Sequence, residues 1–310
     1  MDVVTRADIS AAARRIGPYV RRTPVIDLEA GAFGTEARLI LKLELLQHGG
    51  SFKARGAFNR ILSADVPPAG VIAASGGNHA IAVAYAAQRL GHRAEIFVPT
   101  ACPPVKVALL HHWGAEVTRV GAVYAEAFAA CQTRAETTGA LLVHAYNQPE
   151  VVAGQGMVGW EFAAQSPELD TVVVAVGGGG LIAGVAAWYA GAARVIGVEP
   201  ERSPALTRAL EAGEPVNVEV GGVAVDSLGA SRAGDLAFAI ARQHVDRMVL
   251  VTDEQIVSAQ RALWETARVA AEPGGATALA AILAGAYRPA AGERVGILVC
   301  GGNGDPRQLV

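Results

Sequence analysis

The feature that most limits the fold is a regular alternation of short apolar runs with alanine-rich stretches. Runs such as TVVVAV, from Thr171 to Val176, have the length and β-branched composition of buried strands. The stretches between them, such as 78–90 and 149–165, are long enough for helices. Strands that alternate with helices in this way predict an α/β protein with mostly parallel sheets and helices on both faces.

The alternation predicts nine strands and eight helices. The strands are expected at 39–43, 70–74, 94–98, 116–120, 141–144, 171–176, 194–198, 247–251 and 295–300, and the helices at 78–90, 105–113, 122–137, 149–165, 181–190, 204–211, 253–271 and 276–284. Nine strands are many for one open sheet, so we expect two doubly wound sheets. Because no repeat or low-complexity linker separates them, we predict a large domain (1–68 and 148–310) into which a small domain (69–147) is inserted.

Composition narrows the functional classes. A chain of 310 residues with 52% hydrophobic and 18% charged residues favours a well-packed globular protein. The net charge of −3 and the lack of a basic patch indicate no nucleic-acid partner. Neither a signal peptide nor a membrane span is recognisable, and the three cysteines are widely spaced, so we expect a cytoplasmic protein. The seven histidines show no zinc-binding spacing, and we predict no metal.

Four glycine-rich segments follow predicted strands. They are GGSFK, SGGNH, GGGG and CGGNGD, which begin at Gly49, Ser75, Gly177 and Cys300. In open α/β sheets, ligands bind where strands end and loops lead to helices. Each segment alone is weak evidence, but their recurrence indicates one shared ligand site.

The GGGG segment is the strongest candidate for binding phosphate. Glycines allow backbone N–H groups to crowd an anion, and the N-terminus of the following helix adds partial positive charge. A tight turn without a ligand is the simple alternative. A second alternative is a dinucleotide site of an oxidoreductase, because Gly178, Gly180 and Ala183 fit a relaxed G-x-G-x-x-A pattern and Glu199 follows about 20 residues later.

The chain has only three lysines, and they differ in context. Lys42 lies in a strand-like run, which predicts a solvated strand face, and Lys106 opens a helix, which predicts an exposed position. Lys53 follows a Gly-Gly-Ser turn and the bulky Phe52. Because an amine, unlike a guanidinium, can form a Schiff base with a carbonyl, Lys53 is the candidate for covalent chemistry.

The SGGNH segment offers a second polar site. A hydroxyl, an amide and backbone N–H groups converge at a helix start, which suits a carboxylate or a phenolic oxygen. An ordinary helix cap with a surface His79 remains the simple alternative.

Together these residues resemble the fold-type II pyridoxal-phosphate enzymes, which share the fold of the tryptophan synthase β-subunit. GSFKARGA, SGGNHA, AGQG, GGGGLIAG and CGGNGD occur in the order and approximate spacing of that family. The chain is similar to its serine/threonine dehydratases (threonine ammonia-lyases), and the resemblance extends from Arg21 almost to the end. It implies pyridoxal 5′-phosphate as cofactor, a small amino acid as substrate and a homodimer.

The resemblance also implies roles for residues. Lys53 would carry the cofactor as a Schiff base and later move protons at the substrate Cα. Phe52 would pack near the cofactor ring, Asn78 would hydrogen-bond its 3′-oxygen, and Cys300 would face its pyridine nitrogen. The phosphate would lie on Gly177, Gly178, Gly179, Gly180 and Leu181, and the substrate carboxylate on Ser75, Gly76, Asn78 and His79.

Departures from the family pattern refine the expected activity. Related serine racemases carry a second serine where this chain has Gly76, and their cation site has an acidic residue near Ala205. We therefore expect elimination from L-threonine or L-serine rather than racemisation. Dehydration of threo-3-hydroxyaspartate and racemisation of serine stay alternatives, as does a non-catalytic binding protein. No feedback domain follows CGGNGD, so we expect no isoleucine inhibition through one.

Overall fold

The structure, a computed structural model, describes residues 4–305. Within them the strands are β1 (Val25–Asp27), β2 (Arg38–Leu43), β3 (Val71–Ala74), β4 (Ala94–Val98), β5 (Glu116–Arg119), β6 (Leu141–Leu142), β7 (Thr171–Ala175), β8 (Arg194–Pro200), β9 (Arg247–Val251) and β10 (Arg294–Val299). The α-helices are α1 (Arg6–Ile16), α2 (Lys53–Leu62), α3 (Asn78–Leu90), α4 (Pro104–His112), α5 (Tyr124–Thr138), α6 (Pro149–Gln165), α7 (Gly180–Tyr189), α8 (Ala205–Ala212), α9 (Val225–Leu228), α10 (Asp235–His244), α11 (Asp253–Ala267) and α12 (Pro273–Leu283).

A six-stranded sheet forms the larger core. Its strand order is β1-β2-β10-β7-β8-β9, and only β1 runs antiparallel to its neighbour. Every residue of β7 is buried, as expected for a parallel strand covered by helices on both faces. The last strand, β10, lies in the interior of this sheet, between β2 and β7.

A separate four-stranded sheet has the order β5-β4-β3-β6 and is entirely parallel. Its core also includes apolar residues of α1 and α2, among them Ile16, Ala54 and Phe58. Thus α2, which begins at Lys53, packs against the core of the second sheet. The two-sheet α/β architecture is confirmed, and the domain boundaries at 68/69 and 147/148 stay a prediction.

The nine predicted strands all occur, with ends shifted by a few residues. The sequence analysis missed β1, which has only three residues, and gave no bounds for the helices α1, α2, α9 and α10. The helix predicted to reach 271 ends at Ala267, because Arg268 adopts a left-handed backbone with φ of 54°. In α1, Thr5 and Asp8 form a reciprocal capping box that fixes the start of the helix.

The position of the Lys42 side chain differs from the prediction. Its side chain was expected on a solvated strand face, but it is fully buried in a cluster of four charged residues: Lys42, Glu44, Arg55 and Glu161. The Lys42 Nζ lies 2.5 Å from Glu161 Oε1 and 2.7 Å from the Thr23 carbonyl oxygen. Apolar-polar alternation cannot distinguish such a paired buried cation from a solvated one. We call these four residues the ionic quartet.

Across the described range, 4–305, no helix combines the length and apolar character required to span a bilayer.

Candidate active site

The loop that carries Lys53 is held against the end of β10. The backbone N–H of Phe52 donates to the Cys300 carbonyl at 3.1 Å, and the N–H of Gly302 donates to the Gly50 carbonyl at 2.9 Å. Ser51 forms an isolated antiparallel bridge with Gly301. Gly50 has φ of 75°, in the left-handed region that favours glycine. The structure therefore brings together the GGSFK and CGGNGD segments.

Lys53 begins α2 with its amine in a sheltered position. The Nζ donates to the Ala145 carbonyl at 2.8 Å and lies 5.3 Å from the centre of the Phe52 ring. Burial lowers the pKa of the Lys53 amine to about 8, against a smaller opposing effect of the Cys300 thiol. At pH 7 about one in ten of these amines is uncharged and able to attack a carbonyl, far more than for an ordinary lysine.

The Gly177–Gly180 segment joins β7 to the start of α7. Gly179 has φ of 90°, and a Cβ on Gly178 would lie 2.3 Å from the Tyr146 ring. A Cβ on Gly180 would also meet Tyr146, at 3.0 Å. These glycines are therefore needed for close packing, and their position at a helix N-terminus provides backbone donors for an anion.

The SGGNH segment leads from β3 into α3. Ser75 Oγ accepts the N–H of Gly77 at 3.1 Å, and a Cβ on Gly77 would lie 2.9 Å from the Asp226 carbonyl oxygen. The loop is thus closely packed between β3 and α9. The first N–H groups of α3 have no partner within the helix, so they are available to a carboxylate.

The side-chain amide of Asn78 is held on both sides. Its Nδ2 donates to Glu272 Oε1 at 2.5 Å, and its Oδ1 accepts from Asn303 Nδ2 at 2.8 Å. Burial raises the pKa of Glu272 to about 7, although the hydrogen bond from Asn78 acts in the opposite direction. One N–H of the Asn78 amide remains for a ligand oxygen.

His79 is placed differently from the other residues of this segment. Its ring is buried, and Nε2 lies 2.9 Å from the Val143 carbonyl oxygen. Burial, with help from the charge of Lys53, lowers the pKa of His79 to about 3, so the ring is neutral. The surface position considered for His79 is wrong. That His79 contributes to substrate binding stays a prediction, and its backbone N–H could make the contact with the substrate carboxylate.

Cys300 directly follows β10 and is buried. Its Sγ lies 3.4 Å from the Gly274 carbonyl oxygen. Burial, together with the nearby Glu272 carboxyl, raises the pKa of the Cys300 thiol to about 12. Cys300 is therefore an uncharged thiol near neutral pH.

Sequence reasoning missed Glu272, Asn303 and the segment from His144 to Tyr146. The sequence signal for Glu272 is its position directly before Pro273, because proline at the first helical position marks the preceding residue as a helix cap. Asn303 lies within CGGNGD, but its contact with Asn78 depends on tertiary structure. Nothing local marks Ala145, which contributes only a backbone carbonyl.

Glu199 has a structural role in the described chain. Its carboxylate accepts the N–H groups of Leu206 and Thr207, each at 2.8 Å, and the Thr207 hydroxyl at 2.6 Å. It therefore caps α8 from a fully buried position, and burial raises its pKa to about 7. Within residues 4–305 no group of three or more histidine, cysteine or acidic side chains is placed to hold a metal ion.

Comparison with known proteins identifies the class. A sequence profile for pyridoxal-phosphate dependent enzymes matches residues 16–301, and the chain belongs to this family. It is 40% identical to a phenylserine dehydratase of Ralstonia pickettii over 98% of this chain and 96% of that protein. It is 39% identical to an L-threonine ammonia-lyase of Thermotoga maritima over 99% of this chain and 77% of that protein. A maize serine racemase structure matches with a TM-score of 0.92 and 36% identity, covering 98% of this chain and 95% of that one.

The residues of the site fit pyridoxal phosphate. Lys53 supplies an amine with a lowered pKa, and the N-terminus of α7 supplies backbone donors for a phosphate. The amide of Asn78 keeps a free N–H for a ring oxygen, and Cys300 is a neutral partner for a ring nitrogen. The expected cofactor is therefore confirmed as that of the family, and the dinucleotide alternative is set aside. The individual contacts stay predictions.

Proposed function

We propose that this protein is an ammonia-lyase that converts L-threonine, L-serine or both into a 2-oxo acid and ammonia. The names of its relatives point to phenylserine, threonine and serine, which are all β-hydroxy amino acids. The observation that carries the proposal is the sheltered amine of Lys53, with its pKa near 8, in a site whose other end is the neutral Cys300 thiol. Elimination needs such a group to accept a proton at Cα.

Different residues have different roles in the proposed reaction. The N–H groups at the start of α3, with Ser75 and Gly76, hold the substrate carboxylate, while Asn78 and the Gly177–Leu181 loop hold the cofactor. Bound pyridoxal phosphate supplies an electron sink for the pair left at Cα. Lys53 takes the Cα proton and is placed to return a proton as the β-hydroxyl leaves as water.

The neutral thiol of Cys300 favours elimination over reactions that need a long-lived charge at Cα. An ionised carboxylate would stabilise positive charge on a facing nitrogen, whereas a thiol with a pKa of about 12 does not. Negative charge at Cα is then relieved best by prompt loss of the β-hydroxyl. Gly76 supports the same outcome, because it provides no hydroxyl to act as acid or base on the opposite face of Cα, as a racemase requires.

Substitution of Lys53 tests the proposal directly. The protein purified with pyridoxal phosphate should show the visible band of a lysine-bound cofactor and release 2-oxo acid from threonine or serine. Lys53→Ala should lose both signals. Lys106→Ala is the matched control, because Lys106 pairs with Asp226 at 2.7 Å at an exposed position and should keep both signals. A Lys53→Ala protein that retains the band and the activity would refute the assignment.

The homodimer and the cytoplasmic location stay predictions. Light scattering of the purified protein measures the first: a monomeric mass would refute it.

A further inference from the structure

Four aromatic side chains form a continuous cluster to which the proposed reaction assigns no role. Tyr124 stacks on Phe128 with ring centres 5.9 Å apart, Phe128 meets His144 edge-on at 5.2 Å, and His144 meets Tyr146 edge-on at 4.8 Å. We call Tyr124, Phe128, His144 and Tyr146 the aromatic cluster. Two of its members come from α5, and two come from the segment that follows β6.

The inner end of the cluster borders the reacting amine. Ala145, between His144 and Tyr146, accepts the hydrogen bond of Lys53 Nζ at 2.8 Å. The Tyr146 ring packs against Gly178, which belongs to the proposed phosphate-binding loop. A substrate whose Cα sits next to Lys53 therefore has the aromatic cluster beside it.

The cluster carries no positive charge. Burial, followed by the effect of Lys53, lowers the pKa of His144 to about 4, and its Nδ1 accepts the N–H groups of Tyr146 and Asn147. The ring is thus neutral at pH 7 and cannot pair with a carboxylate on Cβ. A threo-3-hydroxyaspartate substrate would therefore find no cation in the aromatic cluster to pair with its Cβ carboxylate.

The outer part of the cluster is accessible. Tyr124 is 40% exposed, and Phe128 and Tyr146 are half-buried, so ring surface remains for another group to cover. Aromatic rings favour another ring in stacked or edge-on contact, by more than the area buried alone provides.

We propose that the aromatic cluster is a specificity subsite for an aryl group on Cβ, so that the substrate class extends to β-aryl-β-hydroxy-α-amino acids. This inference rests on the lyase reaction proposed above. Such a substrate loses its Cα proton and β-hydroxyl as water, and the resulting enamine tautomerises to an imine. One water molecule then hydrolyses the imine to an aryl-substituted 2-oxo acid and ammonia, with no net oxidation or reduction.

The experiment compares L-threo-phenylserine, L-threonine and L-serine as substrates of the holoenzyme. We expect kcat/KM for phenylserine to exceed that for threonine by about tenfold, the gain that burial of a phenyl ring in an aromatic site can supply. Phe128→Leu should reduce the phenylserine-to-threonine ratio about tenfold. Tyr124→Leu, at an exposed position that tolerates change, should reduce the same ratio severalfold. Trp264→Leu removes an aromatic ring from α11 and should leave the ratio unchanged.

The outcomes separate the two proposals. If no substrate yields a 2-oxo acid, the lyase assignment fails. If threonine or serine is turned over but phenylserine is the poorest substrate, the lyase assignment stands and the aryl subsite is refuted. The subsite is also refuted if Phe128→Leu and Tyr124→Leu leave the ratio where the wild-type enzyme has it.

Discussion

The ionic quartet allows a quantitative test of how this core is stabilised. Lys42→Met removes one of two buried cations while keeping a side chain of similar length. Glu44 and Glu161 then share only Arg55, whose nitrogens lie 2.6 Å from Glu44 and 3.0 Å from Glu161. One negative charge remains uncompensated in the core.

Breaking a buried ion pair costs about 3–5 kcal/mol. The unfolding entropy of a chain of this length, at about 2.1 cal/mol/K per residue, converts that loss to a fall in Tm of roughly 5–8 °C. Charge balance can be restored by the double variant Lys42→Met/Glu161→Gln, which leaves Arg55 with Glu44. We expect the double variant to recover much of the loss, because paired buried charges contribute little net stability.

The matched control is an ion pair of similar geometry on the surface. Arg93 and Glu116 lie 2.7 Å apart, but their side chains are 68% and 62% exposed. Arg93→Met should cost less than about 1 kcal/mol. Thermal unfolding followed by circular dichroism, with saturating cofactor, compares the variants. If Lys42→Met and Arg93→Met lower Tm equally, burial is not what makes Lys42 important.

Three further predictions concern pH and the Glu272 contact. When pyridoxal phosphate is added to cofactor-free protein, the rate at which the visible band forms should rise roughly 15-fold from pH 6.5 to 8 and then level off, because the pKa of Lys53 is about 8. A tenfold rise per pH unit up to pH 9.5 would mean that the pKa of the amine is not lowered. The pKa of Glu199 is raised from 4.5 to about 7, so its favourable contribution to stability is complete below pH 4.5 and is lost as the pH rises through 7. Glu199→Gln should reduce the loss of unfolding free energy between pH 4.5 and 7 by about 3 kcal/mol, measured by denaturant unfolding. If the unfolding free energy of the variant falls with pH as steeply as that of the wild type, this prediction is contradicted. Glu272→Gln should shift the visible absorbance band of the holoenzyme and raise the Kd for pyridoxal phosphate severalfold, because the Asn78 amide loses an acceptor that is negatively charged above its pKa of about 7. A spectrum and cofactor affinity like those of the wild type would show that Asn78 does not need Glu272.

Much of the architecture could be predicted because its signals are local. Strand-length apolar runs such as β7 and helix-length alanine-rich stretches such as α3 each carry their own pattern. Lys53 could be identified because it is one of three lysines and follows a glycine turn. The shared location of the glycine segments followed from a general rule, that ligands bind where parallel strands end.

The remainder depends on contacts between distant segments. Lys42 looked like a surface residue because Glu161, the carboxylate that pairs most closely with it, lies 119 residues further along the chain. The Asn78 amide forms hydrogen bonds with Glu272 and Asn303, which come from two distant segments, and no local sequence pattern predicts these contacts. His79 looked accessible in SGGNH, yet its ring is buried because the start of α3 turns it toward Val143.

The interior position of β10 has a consequence for biosynthesis. Strand β2 emerges early from the ribosome but must wait for β10, its parallel neighbour, before it can complete the sheet. At about 5–20 residues per second, the roughly 250 intervening residues take about 12–50 s to translate. During that interval Lys53 has no Cys300 loop to hold it, and one edge of β2 is unpaired. The nascent chain should therefore expose this edge, and it should bind cofactor only after β10 has emerged from the ribosome.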